Sequence, residues 1–238
     1  MCIRDRSSIM MNIGEEPVLS THGVVTSLAW SMSGKVNYVL EGNLNYTGAV
    51  ITWLKDDLKL IESPGETEAL AREAVQDDSL YLIPAFSGLG APYWDSHATA
   101  AITGMTRTTG KAEVVRAGVE CIAYQITDIV KAMSEDAKVK VEELRVDGGP
   151  TRNGYLMQFQ SDIAEAAVQV PDSEELSGIG PAYAAGLADV YKRQAKSYPK
   201  RDREVDWEKV ETVLEVKDLC LPKPGGGYLV DQIGRAHV

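Results

Sequence analysis

The stretch of this sequence best suited to chemistry is the turn Asp147-Gly148-Gly149, which follows a predicted strand and opens a predicted helix. Because Gly148 and Gly149 lack a Cβ, their backbone N–H groups can approach a phosphate closely. The helix that follows would present unpaired N–H groups and the positive end of its dipole. Asn153, about one turn into that helix, has an amide that can hydrogen-bond an adenine or ribose edge. The turn therefore predicts a nucleotide site.

A purely structural interpretation of the same turn is that Gly-Gly makes a tight corner between a strand and a helix. The sequence contains neither the G-x-x-x-x-G-K-[ST] phosphate loop nor the G-x-G-x-x-G dinucleotide fingerprint. Spacing alone leaves the binding and the structural interpretations open.

A second candidate is the segment 84–98, whose glycines and prolines predict a long irregular loop rich in aromatic residues. Tyr93 and Trp94 would either cover a ligand or close the base of a domain, and we expect the structural role. Asp95 would be either catalytic or, as is commoner for an aspartate in a loop, a turn or capping residue.

Charge and residue usage exclude several classes of function. The net charge is −11, with 35 acidic against 24 basic residues, so no basic face for a nucleic acid is expected. The cysteines and histidines are scattered and lack the spacing of a disulfide framework or a zinc site. We therefore expect no metal ligands among them; they are Cys2, Cys121, Cys220, His22, His97 and His237. Cys121 lies in an apolar helical run and is expected to be a small buried hydrophobe.

The chain has 238 residues, of which 44% are apolar and 25% charged, as expected of a soluble globular domain or one lobe of a larger enzyme. It contains no apolar run of the roughly 18–20 residues that a bilayer requires. The charged N-terminus also lacks a signal-peptide pattern. A cytoplasmic protein without a membrane or nucleic-acid partner is the expectation.

Three short tracts resemble translated sequencing-adaptor strings and are left out of the fold argument: residues 1–6, 189–194 and 233–238. The remaining sequence divides into a main domain over 7–188 and an uncertain tail over 189–238.

Hydrophobic periodicity predicts alternating strands and helices, and hence an α/β architecture. A β-hairpin is predicted over 24–38, with shorter strands at 80–83, 101–105, 143–146 and 167–170. Helices are predicted over 45–61, 67–75, 111–133, 151–164, 180–188 and 206–216.

In this order the segments resemble the FGGY carbohydrate kinases, and among them most closely the glycerol kinases. The resemblance covers about residues 7–188 and rests on the segments VLEG (39–42), GAVITWL (48–54), PAFSGLGAPYWD (84–95), RVDGG (145–149) and LMQFQSD (156–162). Residues 100–120 fit the second FGGY signature, except that Gly118 stands where another small or a β-branched residue is usual.

The resemblance implies an actin-like, ribonuclease-H-like kinase of two lobes, with this chain as the C-terminal, nucleotide-binding lobe. By matching position, Gly48 should lie beside the nucleotide phosphates, and Thr52 replaces a glutamine that contacts nucleotide in glycerol kinases. Gly149 and Asn153 should hold the ribose and adenine side. ATP and Mg²⁺ are the implied cofactors.

Two departures from the family pattern concern the substrate side. The family places a Gly-Thr-Gly phosphate loop just before Ser7, where this sequence has one of the adaptor-like tracts. An aromatic residue that packs on glycerol stands in glycerol kinases at the position of Ser8, and a serine suits other FGGY sugar kinases better. Xylulose and similar sugars therefore compete with glycerol as the predicted substrate.

The resemblance also implies that the general base, the Mg²⁺ carboxylates and the substrate pocket belong to a first lobe outside this sequence. No catalytic or metal-ligating residue is therefore predicted in the chain, and the chain alone should have no kinase activity. A non-catalytic nucleotide-binding or interaction module, and a ligand-free α/β scaffold, remain the alternatives. Family members commonly associate through this lobe, so a homo-oligomer stays open, although the sequence shows no interface.

Overall fold

Strands and helices alternate along residues 7–32, 34–75, 80–172 and 216–220, the part of the chain that the computed structural model describes. In chain order the elements are β1 (Ser7–Gly14), β2 (Val25–Met32), β3 (Lys35–Leu44), α1 (Gly48–Thr52), α2 (Glu66–Glu73), β4 (Tyr81–Ile83), β5 (Ala101–Thr103), α3 (Lys111–Ala137), β6 (Glu143–Arg145), α4 (Gly154–Ala164), β7 (Ala167–Pro171) and β8 (Val216–Cys220). A π-helical turn, Trp53–Asp57, continues α1, and a 3₁₀ turn, Gly149–Arg152, precedes α4.

The first sheet is antiparallel and has the order β1-β3-β2. Its β2–β3 hairpin confirms the predicted hairpin, whereas β1 is not among the predicted strands. Along β1 half-buried and exposed residues alternate, and Ile9, Met11 and Ile13 pack on the core beneath the sheet. This period of two is the signal that identifies a half-buried strand. The exposed Met10 obscures it, because an apolar residue also points outward.

Helix α3 is the central element and packs against β1, β3, β4, α1, α2 and α4. One end of the helix contributes Val115, Val119 and Ile122 to the larger core cluster. Its other end contributes Ile129 and Met133 to a second cluster under the first sheet. The predicted helix over 111–133 is thus confirmed, and it continues to Ala137, where Lys138 adopts a left-handed conformation that ends it.

The close approach of α1 to α3 depends on Gly118. A Cβ added at Gly118 would lie 2.7 Å from Leu54 Cδ1 and 3.5 Å from Val50 Cγ1. Leu54 and Val50 are both completely buried. The departure from the family signature at this position therefore has a packing reason, since Leu54 fills the space that a larger side chain would need.

The predicted helix over 45–61 is shorter in the structure because its second half widens into the π-helical turn. The N–H of Leu58 donates to the carbonyl of Trp53, five residues back, at 3.0 Å. The extra residue per turn rotates Leu58 away from the apolar face, and it is 40% exposed. Lys59 then adopts a positive φ and ends the helical run.

The third sheet joins β6, β7 and β8, with β6 and β7 parallel and β7 and β8 antiparallel. Strand β8 lies in the tail over 189–238, beyond the predicted main domain. The predicted helix over 206–216 is wrong at Val216, where β8 begins, and its other residues lie outside the described part of the chain. The predicted helix over 180–188 and the three adaptor-like tracts also lie outside it.

The remaining predicted elements agree with the structure to within four residues at each end: α2, β4, β5, β6, α4 and β7. Cys121 is buried as expected, and burial raises the pKa of its thiol. Among the helices of the described segments, none has the length and apolar character needed to cross a bilayer.

Asp136, near the C-terminal end of α3, holds the loop that precedes β2. Its carboxylate accepts from Ser20 Oγ at 2.5 Å, the Thr21 N–H at 2.9 Å and His22 Nδ1 at 2.7 Å. Burial opposes ionisation of Asp136, but these hydrogen bonds outweigh it and hold its pKa well below the ordinary value. The hydrogen bond to Asp136 raises the pKa of His22 above 6.5.

We expect Gly118→Val to lower the free energy of unfolding by about 1–3 kcal/mol, because the added side chain overpacks the contact with Leu54. Urea unfolding followed by circular dichroism measures this change. Lys131→Val, on an exposed part of the same helix, controls for the lower helix propensity of valine. Equal losses in the two variants would contradict the packing argument.

The hydrogen bonds between Asp136 and the loop before β2 should make the stability of the fold depend on pH. A carboxylate with a lowered pKa stabilises the fold above its unfolded-state pKa, about 3.9, and loses that contribution as the pH falls toward its folded-state value. The contribution of His22 to stability is complete below its unfolded-state pKa, about 6.5. It is lost as the pH rises through the raised pKa of the folded state. We expect the melting temperature of Asp136→Asn to fall less between pH 4 and 2 than that of the parent chain. Parallel plots of melting temperature against pH for the two proteins would contradict this role of Asp136.

Candidate functional site

The two glycines in the turn between β6 and α4 differ in backbone conformation and in surroundings. Gly148 has φ +93°, a conformation that residues with a Cβ rarely adopt. Gly149 begins the 3₁₀ turn, lies exposed, and has no heavy atom within 4 Å of the position a Cβ would take. The fold therefore requires glycine at 148 but has room for a side chain at 149, where the backbone is open to an approaching ligand.

Asn153 is the N-cap of α4 rather than a residue one turn into the helix. Its Oδ1 accepts from the Leu156 N–H at 2.9 Å. Its Nδ2 donates to Thr67 Oγ1 on α2 at 3.0 Å. The predicted start of the helix at 151 is therefore wrong, because residues 149–152 form the 3₁₀ turn and α4 begins at Gly154. Both ends of the Asn153 amide have partners within the chain.

The first turn of α4 was expected to present unpaired N–H groups to a phosphate. In the structure N–H groups there have partners within the chain. The N–H of Gly154 donates to Glu68 Oε2 at 3.1 Å, and the N–H of Tyr155 also helps to lower the pKa of the Glu68 carboxylate. With the Asn153 cap on Leu156, the N–H groups of Gly154 and Leu156 in the first turn both have partners within the chain. The protein supplies its own anion at the positive end of the helix dipole.

Glu68 is itself held by Arg72, one turn further along α2. Arg72 donates from Nη2 and Nε to Glu68 Oε1 at 2.7 and 3.2 Å. The hydrogen bond from Arg72 is the main cause that lowers the pKa of Glu68, and the Gly154 N–H adds to it against the opposing effect of burial. The carboxylate is therefore a fixed negative charge at the start of α4.

Sequence reasoning missed Thr67 and Glu68 as neighbours of the turn. Each lies 86 residues from its partner in the chain, Asn153 or Gly154. The spacing of Glu68 and Arg72 indicates only a helical ion pair. Nothing local in the sequence indicates that this pair contacts α4.

Gly48 and Thr52 are the first and last residues of α1. A Cβ on Gly48 would meet no heavy atom within 4 Å, so this backbone is open as well. Thr52 is exposed, and its hydroxyl donates to the Gly48 carbonyl at 3.3 Å. The apolar contacts of α1 with α3 fix both positions.

The five predicted nucleotide residues thus form two groups, one on α1 and one at the β6–α4 turn. Within the described segments no hydrogen bond joins Gly48 or Thr52 to the turn. Both groups are anchored on α3, which packs against α1 and α4.

The loop over 84–98 has contacts that support the structural interpretation. Trp94 Nε1 donates to the Gly23 carbonyl at 2.6 Å, and the Tyr93 hydroxyl donates to Asp128 at 2.8 Å. Asp95 is a turn residue, because its Oδ1 accepts from the N–H groups of His97 and Ala98 at 2.8 and 3.1 Å. No chemistry needs to be assigned to Asp95.

Two further observations concern the substrate and metal side. The Ser8 hydroxyl donates to Glu41 Oε1 at 3.0 Å across the first sheet. Among the described residues there is no group of three or more histidine, cysteine, aspartate or glutamate side chains that could hold a metal ion.

Comparison with known proteins identifies the family. Residues 1–188 match the C-terminal domain of the FGGY family of carbohydrate kinases. The chain is 48% identical over 183 residues to a glycerol kinase of Petrotoga mobilis, and 51% identical over 180 residues to one of Oceanobacillus iheyensis. These matches cover 77% and 76% of this chain but 37% and 36% of the relatives, so the chain spans little more than a third of their length.

Solved structures agree with this assignment. The crystal structure of Plasmodium falciparum glycerol kinase with ADP matches with a TM-score of 0.77 and 33% identity, over 91% of this chain and 41% of that one. A ligand-bound xylulose kinase from Lactobacillus acidophilus has the same fold, with a TM-score of 0.74 at 19% identity over 97% of this chain and 43% of that one. The predicted actin-like kinase lobe is confirmed. The chain belongs to the FGGY family of carbohydrate kinases.

Proposed function

We propose that this chain is the nucleotide-binding lobe of an ATP-dependent kinase that transfers the γ-phosphate to glycerol. The observation that carries the proposal is the open backbone at Gly149, beside a Gly148 that the fold requires for its positive φ. The identity of nearly half the residues to glycerol kinases supports the choice of glycerol.

The residues of this chain would act by binding and orienting the nucleotide. Gly148, Gly149 and Asn153 would hold the adenosine part, and Gly48 and Thr52 would lie beside the phosphates. Phosphoryl transfer depends on alignment of the acceptor hydroxyl, the γ-phosphate and the charges around it, rather than on covalent chemistry by the protein. Rigid anchoring of both groups on α3 supplies part of that alignment.

No general base is proposed within the chain, and Asp95 is committed to its turn. Mg²⁺ would neutralise charge on the phosphates. Because the described residues offer no cluster of ligands for it, we assign no step of the reaction to a metal site in this chain. Catalysis would need residues beyond those described.

One observation favours the second candidate, a kinase of xylulose or a related sugar. Ser8 occupies the position where glycerol kinases carry an aromatic residue, and its hydroxyl is directed to Glu41. A substrate panel on the full-length enzyme decides between the two. Higher kcat/KM for glycerol than for xylulose is expected, and the reverse order would favour the second candidate.

We expect Gly149→Val to weaken ADP binding by the full-length enzyme at least tenfold, because the side chain would occupy the space left for the nucleotide. Isothermal titration calorimetry measures the Kd, and a thermal shift assay checks that the fold is kept. Gly65→Val is the matched control, since Gly65 is also exposed and a Cβ there meets only Ser63 Oγ at 3.8 Å. Unchanged ADP affinity in Gly149→Val would contradict the proposed site.

Thr52→Gln should tighten nucleotide binding. The longer amide would restore the contact that glycerol kinases make, and one added hydrogen bond of about 0.5–1.5 kcal/mol corresponds to roughly twofold to tenfold in Kd. This is a gain of function, so misfolding cannot imitate it. Weaker or unchanged ATP binding by the variant would show that Thr52 does not face the nucleotide.

A further inference from the structure

Asn153 is followed by a glycine, and this pair of residues is chemically labile. The chain has five asparagines, and the other four precede isoleucine, tyrosine or leucine: Asn12, Asn37, Asn43 and Asn45. An asparagine loses its side-chain amide when the backbone nitrogen of the next residue attacks the side-chain carbonyl carbon. A side chain on that next residue hinders the attack, and glycine has none. Asn153 is therefore the asparagine of this chain most liable to amide loss.

The reaction needs only water as a co-reactant. The Gly154 nitrogen forms a bond to Asn153 Cγ and gives up its proton, while the bond from Cγ to Nδ2 breaks and ammonia leaves. Water then opens the resulting five-membered ring at one of its two carbonyl carbons. One opening gives aspartate in a normal backbone, and the other gives isoaspartate, in which the backbone runs through the side chain. Neither step oxidises or reduces the protein.

In the folded chain hydrogen bonds hold both reacting groups. Asn153 Oδ1 accepts from the Leu156 N–H at 2.9 Å, and its Nδ2 donates to Thr67 Oγ1 at 3.0 Å. The Gly154 N–H, whose proton must leave, donates to Glu68 Oε2 at 3.1 Å. Ring closure turns the asparagine side chain out of its staggered rotamer, so an amide held at both ends resists it. Gly154 is exposed, and water therefore has access to the reacting atoms.

We propose that Asn153 is a deamidation site of this protein and that Thr67 sets the rate of the reaction. The hydroxyl of Thr67 donates to the Pro64 carbonyl at 2.6 Å, which fixes its oxygen as the acceptor for Asn153 Nδ2. Thr67 is buried, so water competes little for this bond. Helix α2 thus protects a residue 86 positions away from a reaction that the neighbouring Gly154 promotes.

Mass spectrometry of peptides from the incubated full-length enzyme measures the conversion of each asparagine to an acid. We expect Asn153 to convert before the other four asparagines of this chain. Thr67→Val keeps the shape of the side chain but removes the hydroxyl, and it should accelerate the conversion about twofold to tenfold, the effect of one hydrogen bond. Gly154→Ala should suppress the conversion over the same period, because its methyl group hinders the attack.

Thr127→Val is the matched control for Thr67→Val. Thr127 is also buried, its hydroxyl donates to the Ala123 carbonyl at 2.9 Å, and its oxygen accepts from the Gln160 amide at 3.1 Å. The same groups are therefore lost away from the turn, and the variant shows what destabilisation alone does to Asn153. Equal acceleration in both variants, or earlier conversion at another asparagine of this chain, would overturn the proposal.

A consequence for ligand binding rests on the proposed function. Asn153→Asp reproduces one product of the reaction. Aspartate caps a helix as well as asparagine does, so the helix content measured by circular dichroism should be unchanged. The loss of an amide donor and the added negative charge should weaken ADP binding about twofold to tenfold. Unchanged ADP affinity would overturn the place of Asn153 in the proposed nucleotide site, whereas the deamidation itself is measured by mass without any nucleotide.

Discussion

The architecture around the candidate site depends on pairing the backbone donors at the start of α4. The first N–H groups of any helix lack partners within it, and leaving them buried or unpaired costs free energy. In this chain Asn153 and Glu68 meet that need, one from the turn and one from α2. The same hydrogen bonds therefore cap a helix, join α2 to α4 and fix the shape of the turn that holds Gly148 and Gly149.

Buried polar contacts also join the start of α4 to α3. The Tyr155 hydroxyl donates to Glu120 Oε1 at 2.5 Å, and Arg116 pairs with the same oxygen at 3.5 Å and also donates to the Val75 carbonyl. Such pairs contribute little net stability unless their hydrogen bonds are completed, but they specify one arrangement of the helices. Around them, the apolar contacts of α1, α3 and α4 form the larger core. The two open backbones, at Gly48 and Gly149, are thus held by one rigid set of helices.

Local patterns were sufficient to predict the hairpin, α3 and the β6-turn-α4 unit, because each has a period or a glycine signal within a short window. They failed where a distant partner decides the structure. Strand β1 pairs with β3, and β8 pairs with β7 across more than forty intervening residues. The N-cap role of Asn153 was missed for a local reason: the helix was predicted to begin at 151, whereas residues 149–152 form a 3₁₀ turn and Asn153 caps the Leu156 N–H. The chemistry of the turn indicated Gly148, Gly149 and Asn153, and the family resemblance added Gly48 and Thr52. Glu68 emerges only when α2 and α4 are seen in contact.

In the proposed orientation the nucleoside lies at Gly149 and the phosphates lie away from the start of α4. A crystal structure of the full-length enzyme with ADP measures this directly. We expect the ribose or adenine within van der Waals contact of Gly149, the phosphates nearer to Gly48, and the Gly154 N–H still bonded to Glu68. A phosphate oxygen within hydrogen-bonding distance of the Gly154 N–H, with Glu68 displaced, would contradict this orientation.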